Sequence, residues 1–341
     1  MVQGEQMRQI DFKDIEGIKV GHAHDLCAAT GCTVIIANEG ATVGVDVRGG
    51  APGTRETDLL NPVNLVQKIH GIILTGGSAF GLDAAAGVMQ YLEEQGIGFD
   101  VQVAKVPIVC GAALFDLVIG DPKIRPDKEM GYRACMNAGP ASLEQGNVGA
   151  GTGATVGKIR GMGRAMKSGL GHYAFQTGEL KVGALVAVNC LGDVFDPQTG
   201  KKLAGLLGEN MQSFADTEET LISSYASAGN FFSGNTTIGV VATNAALTKA
   251  QATKLASMAH NGYARTLRPA HTMFDGDTIF AMSTDTVEAD LSAVGALAAI
   301  AMERAVVAAI ENAGPLCGLL CCADLKAKQT EGAGIDKAQQ K

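Results

Sequence analysis

Gly234-Asn235-Thr236-Thr237-Ile238-Gly239-Val240-Val241-Ala242-Thr243-Asn244 is the stretch that decides how this 341-residue chain reads. Ile238–Thr243 is a short, β-branched apolar run, the pattern of a buried strand. The polar segment ahead of it, Lys201–Gly234, reads as a linker with some helix and ends in Ser227-Ala228-Gly229-Asn230-Phe231-Phe232-Ser233-Gly234. A flexible, glycine-containing segment therefore meets a hydroxyl residue that opens a rigid strand. The Thr236 hydroxyl can attack the Asn235 carbonyl through a five-membered ring, turning the amide into an ester that water cleaves. Thr236 would then own a free α-amine, with a reference pKa of about 7.7–8.0, able to act as base for its own hydroxyl. The local residues permit this chemistry without demanding it, because β-propensity alone also puts Thr at the start of a strand.

Outward from the junction, strands and helices come in two blocks. Upstream, Thr33–Ala37 and Thr42–Val47 flank Asn38-Glu39-Gly40, a hairpin signal. Gly71–Thr75 reads as a buried strand running into a helix from about Phe80 to Glu94, with Ser78 as its cap. A further helix is expected within Asp121–Asn137, and Val182–Val188 is a strong strand. Downstream come a helix from about Thr248 to Tyr263, a strand at Thr278–Ser283 and a long helix from about Glu288 to Asn312, stopped by Gly314-Pro315. The last ~20 residues are polar and expected to be loose. Strands preceding helices in two blocks predict stacked sheets with helices outside, rather than an alternating doubly wound sheet.

Composition removes several classes. The net charge is −8 without runs of Lys or Arg, which disfavours nucleic acid as a partner. The most apolar stretch, Ala289–Ile310, is interrupted by Asp290, Glu303 and Arg304, so no membrane span is expected. The N-terminal residues lack the apolar core of a secretory signal, so the eight cysteines are expected as thiols in a cytoplasmic protein. No metal site is expected: there is no CxxC pair and no HExxH, and Cys317, Cys321 and Cys322 have no histidine nearby. Asp275-Gly276-Asp277 lacks the rest of a calcium loop. Gly149–Ala154 imitates a dinucleotide fingerprint but has no leading strand and runs into β-branched Thr155-Val156. In Gly76-Gly77-Ser78-Ala79-Phe80, Phe80 stands where a nucleophile elbow needs glycine. The 45 glycines are nearly twice the usual share of roughly 7% and lie singly and in pairs between apolar runs, as tight turns and close backbone approaches require.

Six ordered motifs carry a resemblance. They are Gly17-Ile18-Lys19-Val20-Gly21-His22; Asp46-Val47-Arg48-Gly49-Gly50-Ala51-Pro52-Gly53-Thr54-Arg55-Glu56; Thr75-Gly76-Gly77-Ser78-Ala79-Phe80-Gly81-Leu82; Gly149 through Lys158; Gly234-Asn235-Thr236-Thr237-Ile238; and Phe274-Asp275-Gly276-Asp277-Thr278. From about Gly17 to Ala313 the chain resembles the L-aminopeptidase/D-esterase family, which includes β-aminopeptidases and a nylon-oligomer hydrolase. The junction is especially similar to that of the nylon-oligomer hydrolase. The resemblance implies an α/β (α+β) fold, a four-layer αββα sandwich of the N-terminal-nucleophile type. It also implies one hydrolase domain, self-cleaved into residues 1–235 and 236–341 and assembled as a homotetramer, with no cofactor. It makes Thr236 the nucleophile and Asn189 an oxyanion donor. Lys158 becomes a cation near the nucleophile, and Asp275 and Asp277 orient its amine and hydroxyl. Phe115 stands where some members have a substrate-binding tyrosine and lacks the hydroxyl, which leaves substrate preference open. The expected activity is an aminopeptidase or amidase on small peptides or amides. Alternatives are endo-hydrolysis of ω-amino-acid oligoamides and an uncleaved scaffold of the same fold.

Overall fold

The computed structural model describes residues 7–139, 143–225 and 234–328. Ten strands are joined by hydrogen bonds among the described residues: β1 (Arg8–Ile10), β2 (Lys19–Asp25), β3 (Thr30–Val47), β4 (Thr54–Arg55), β5 (Ile69–Thr75), β6 (Val109–Ala113), β7 (Leu170–Thr177), β8 (Leu180–Ala187), β9 (Ile238–Ala245) and β10 (Thr278–Val287). The order is β1-β7-β8-β9-β10-β3-β5-β6-β4, with β2 also on β3.

This path folds into two facing sheets because β3 belongs to both. Its first half, from Thr30 to Ile36, pairs with β2 and β5; its second, from Thr42 to Val47, pairs with β10. The hairpin expected around Asn38-Glu39-Gly40 is therefore not formed. Those residues bend a single 18-residue strand, with Gly40 at φ +72° and a register shift between Ile36 and Ala41 against β5. Turn-forming residues serve equally well to bend a strand from one sheet into another.

Period-two side-chain alternation then separates three cores. Ile35, Ile72, Leu185, Val240 and Phe280 pack between the sheets. Val186, Val241 and Ile279 face helices α4 (Lys249–Thr266) and α5 (Leu291–Glu311), while Val34, Ile36 and Ile73 face α1 (Ala84–Glu94) and α2 (Lys128–Met136). The layers are helix, sheet, sheet, helix, as the resemblance implies. Glycine lets the layers approach closely: a Cβ on Gly44 of β3 would lie 2.1 Å from the Thr253 nitrogen of α4.

Thr248 and Gln251 form a capping box that starts α4, and Asp290 caps α5 through the Ser292 and Ala293 N–H groups. The second of these helices is long and apolar enough to cross a membrane. Here Val294, Ala298, Met302, Ala305 and Ile310 are buried in the core beneath the sheet. Ser78 does not cap the helix after it: it opens a 3₁₀ turn at φ +55°, makes no capping bond, and its N–H donates to Leu114 O at 2.9 Å. The linker expected over Lys201–Gly234 contains a strand at Lys202–Ala204 and helix α3 (Thr217–Ser223); residues 226–233 lie outside the described residues. The C-terminal segment expected to be loose begins with a helix over 322–328, and the rest of it lies outside the described residues.

Candidate active site

Thr236 precedes β9, a strand held on both sides, antiparallel to β8 and parallel to β10. Thr236 is 5% exposed and Asn235 2%. The Thr236 N–H donates to Asn189 O at 2.8 Å, and its hydroxyl donates to the carbonyl oxygen of Asn235. The hydroxyl is thus already turned onto the peptide group it would attack.

Asn189 and Lys158 form the adjoining wall. Lys158 follows the short strand Thr155–Val156 and is fully buried. Its ammonium donates to Asn189 O at 3.0 Å, Asn189 Oδ1 at 2.8 Å and Gly234 O at 3.2 Å. Burial pushes its pKa down to about 7 against the opposing pull of neighbouring groups, Asp275, Asp116 and Asp277 among them. Thr155 N–H also donates to Asn189 Oδ1, at 3.0 Å, which fixes the orientation of the amide. The Asn189 amide N–H groups point at Phe115 O, at 3.0 Å, and Gly234 O, at 3.3 Å. Asn189 Nδ2 and Lys158 Nζ together thus hold the Gly234 carbonyl, one residue upstream of the junction. Phe115 meets the site through its backbone carbonyl, and its side chain is half-buried. Its loop is anchored by buried Asp116, which accepts from Thr30 Oγ1 and Gly77 N–H at 2.7 Å each. Desolvation raises the Asp116 pKa to about 6.

The third wall precedes β10. Asp277 Oδ1 accepts from Thr237 N–H at 2.8 Å, and its Oδ2 accepts from His271 N–H at 3.0 Å and pairs with His271 Nδ1 at 2.9 Å. Asp275 Oδ1 accepts from Leu191 N–H at 3.3 Å, and Oδ2 from the N–H and hydroxyl of Thr272. Burial, then the charge of Asp277, lifts the Asp275 pKa to about 6. The two carboxylates act on the neighbours of Thr236: their bonds go to residues 191, 237, 271 and 272 rather than to its hydroxyl or N–H. Gly276, between them, donates its N–H to Asn235 O at 2.9 Å. The glycine-rich segment after β3 grips this loop: Arg48 N–H donates to Asp277 O at 2.9 Å and Ala51 N–H to Asp275 O at 2.8 Å. A Cβ on Gly49 would sit 2.3 Å from Asp275 O, so that motif is a tight backbone clasp.

All the residues singled out in the sequence thus converge: Thr236, Asn235, Asn189, Lys158, Asp275, Asp277 and the backbone of Phe115. His271 was missed. It lies at φ +58°, its ring is 4.8 Å from that of buried His260, and nothing in its sequence spacing marks it. The site brings together a hydroxyl aimed at a peptide carbonyl, a buried lysine of lowered pKa, amide donors and two buried carboxylates. Such a group can carry out acyl transfer.

The profile of peptidase family S58 matches residues 11–320. The chain belongs to this family. As an S58 peptidase it is a hydrolase of amide or peptide bonds. It is 41% identical to an uncharacterized aminopeptidase of Mycobacterium bovis, over 90% of this chain and 95% of that one. It is 30% identical to the 6-aminohexanoate-oligomer endohydrolase of an Agromyces species, over 84% and 77%. In fold, the S58 chain resembles the l-aminopeptidase d-ala-esterase/amidase of Ochrobactrum anthropi, a variant of the Ntn hydrolase fold. That match has a TM-score of 0.68 at 18% identity and covers 95% of this chain and 94% of that one. A Burkholderia β-aminopeptidase superposes with a TM-score of 0.64 at 21% identity, covering 97% and 96%.

Proposed function

We propose that this S58 peptidase is made as one inactive chain, cuts itself between Asn235 and Thr236, and then uses Thr236 as an N-terminal nucleophile. The observation that carries this reading is the Thr236 hydroxyl donating to the Asn235 carbonyl inside a buried, donor-lined site. After the cut, the new α-amine stays beside Asn189 O and serves as base for the hydroxyl. Charged Lys158, linked to the same oxygen, favours the neutral, basic form of that amine. The Gly234 carbonyl marks where a substrate's acyl oxygen would meet Asn189 Nδ2 and Lys158. The substrate is a small peptide or amide with a free amino terminus. The acyl group passes to Thr236, the amine leaves, and water releases the acid.

Intact mass tests this first. Wild-type protein should separate under denaturing conditions into fragments of about 24 and 11 kDa, the residue shares of 35.0 kDa. Thr236→Ala should remain one inactive chain; cleavage of that variant at the same bond would sink the proposal. A persistent full-length wild-type chain would instead favour a scaffold. The junction's similarity to the nylon-oligomer hydrolase and the 30% identity to an oligomer endohydrolase support a second reading, endo-cleavage of ω-amino-acid oligoamides. A β-alanyl chromogenic amide assayed beside an aminohexanoate oligomer separates the two. Cytoplasmic location and a tetramer of cut units belong to the same proposal, and light scattering giving the mass of four chains checks the latter.

A further inference from the structure

We propose that the backbone N–H of Gly276 is the oxyanion donor for self-cleavage, distinct from the Asn189 and Lys158 donors. The inference rests on the Asn235–Thr236 cut proposed above. Among the described residues, the Thr236 hydroxyl and the Gly276 N–H both reach the Asn235 carbonyl oxygen, the latter at 2.9 Å. The hydroxyl loses that bond when its oxygen attacks the carbon. Lys158 Nζ and Asn189 Nδ2 are committed to Gly234 O instead. The Gly276 N–H stays beside the oxygen on which negative charge develops, 2.9 Å from it before the attack.

The register of the sheet sets this donor. Thr278 N–H donates to Thr237 O at 3.1 Å, and one rung earlier Gly276 N–H donates to Asn235 O, through a parallel bridge between Asn235 and Asp275. The ladder joining β9 to β10 thus continues one rung across the bond to be cut. The side of Gly276 facing the nucleophile is also constrained. A Cβ there would lie 2.8 Å from Thr236 Oγ1 and 2.7 Å from Ala51 O. The position supplies an N–H and leaves the nucleophile room.

In the step itself, the Thr236 oxygen bonds to the Asn235 carbon and the carbonyl oxygen becomes an oxyanion on the Gly276 N–H. The carbon–nitrogen bond then breaks, and the hydroxyl proton ends on the Thr236 nitrogen. Water adds to the ester, giving the Asn235 carboxylic acid and restoring the Thr236 hydroxyl.

The test replaces Gly276 with glycolate during cell-free translation, which exchanges the N–H for oxygen and adds no side chain. Cleavage is followed by denaturing electrophoresis beside wild type, Thr236→Ala and a chain carrying the α-hydroxy analogue of threonine at position 278. Wild type that stays whole, or Thr236→Ala that cuts, defeats the self-cleavage reading itself. With both controls behaving, the glycolate chain should cut about 100-fold more slowly, and the 278 analogue at close to the wild-type rate. Cleavage of the glycolate chain at the wild-type rate overturns the proposal. So does equal slowing at 278, which would make the effect one of ladder stability. Hydroxylamine accelerates breakdown of the ester but not its formation. Cleavage at 235–236, read by its roughly 24 and 11 kDa fragments apart from any opening of the 275–276 ester at roughly 28 and 7 kDa, should stay slow in its presence, and full rescue of that cut would place the defect after the acyl shift and overturn the assignment.

Discussion

Lys158 holds its partners at a thermodynamic cost whose sign can be measured. Its pKa falls from 10.5 to about 7 on burial. A lysine depressed in this way favours the fold fully only above its unfolded pKa, and the contribution is lost as pH falls toward the folded value. In the uncut Thr236→Ala chain, stability relative to a Thr236→Ala/Lys158→Met chain should therefore rise between pH 7 and 10.5, by at most about 1.4 kcal/mol per unit. Denaturant titrations across that window check it, and a flat difference would mean that Lys158 titrates normally. The same substitution should slow self-cleavage, because Asn189 O, Asn189 Oδ1 and Gly234 O all lose a donor. Thr236 is legible in the sequence because the junction permits the chemistry and the ordered motifs of the resemblance single it out. Gly276 stood in a motif, yet its part was not legible, because a backbone N–H carries no residue signature. His271 meets Asp277 through a left-handed backbone turn that residue identity does not announce.

Among the elements, β3 shows what local pattern leaves undecided. Its β-branched runs mark strand on both sides of Asn38-Glu39-Gly40, and both lie in strand. Whether the turn residues reverse the chain or only bend it depends on partners far away in sequence. Here β10 and β5 claim the two halves, and the chain bends but continues as one strand. The high glycine content likewise announces close approach without saying between which elements. Gly44 against α4 is one answer. Gly44→Ala would drive a methyl group into the Thr253 backbone and should destabilise the uncut chain by about 1–3 kcal/mol, read by denaturant unfolding. The helix it touches is better announced: Thr248 and Gln251 sit three apart ahead of an apolar pattern. Thr248→Ala should cost about 1 kcal/mol in the same assay.

For the whole molecule, the four layers followed from the resemblance, and the grouping of strands before helices had pointed the same way. What neither supplied is the interleaving of the two segments that the cut would create. Residues 236–341 contribute β9 and β10, and both lie between β8 and β3 of residues 1–235. The fragments should therefore co-elute in size exclusion and part only in denaturant; separate native peaks would contradict this arrangement. Two of the described cores are also shared across the cut: Val186 with Val241, and Ile35 with Val240. This central placement changes what unfolding means before and after the cut. A single chain finds its own fold by a unimolecular search. If the proposed cut makes Asn235 and Thr236 separate ends, the two pieces must find each other, and stability becomes a function of how much protein is present. Dilution should therefore lower the unfolding midpoint of the cut enzyme more steeply than that of the Thr236→Ala chain. The cut thus acts as a ratchet: an enzyme molecule once dismantled loses the tether under which it first assembled.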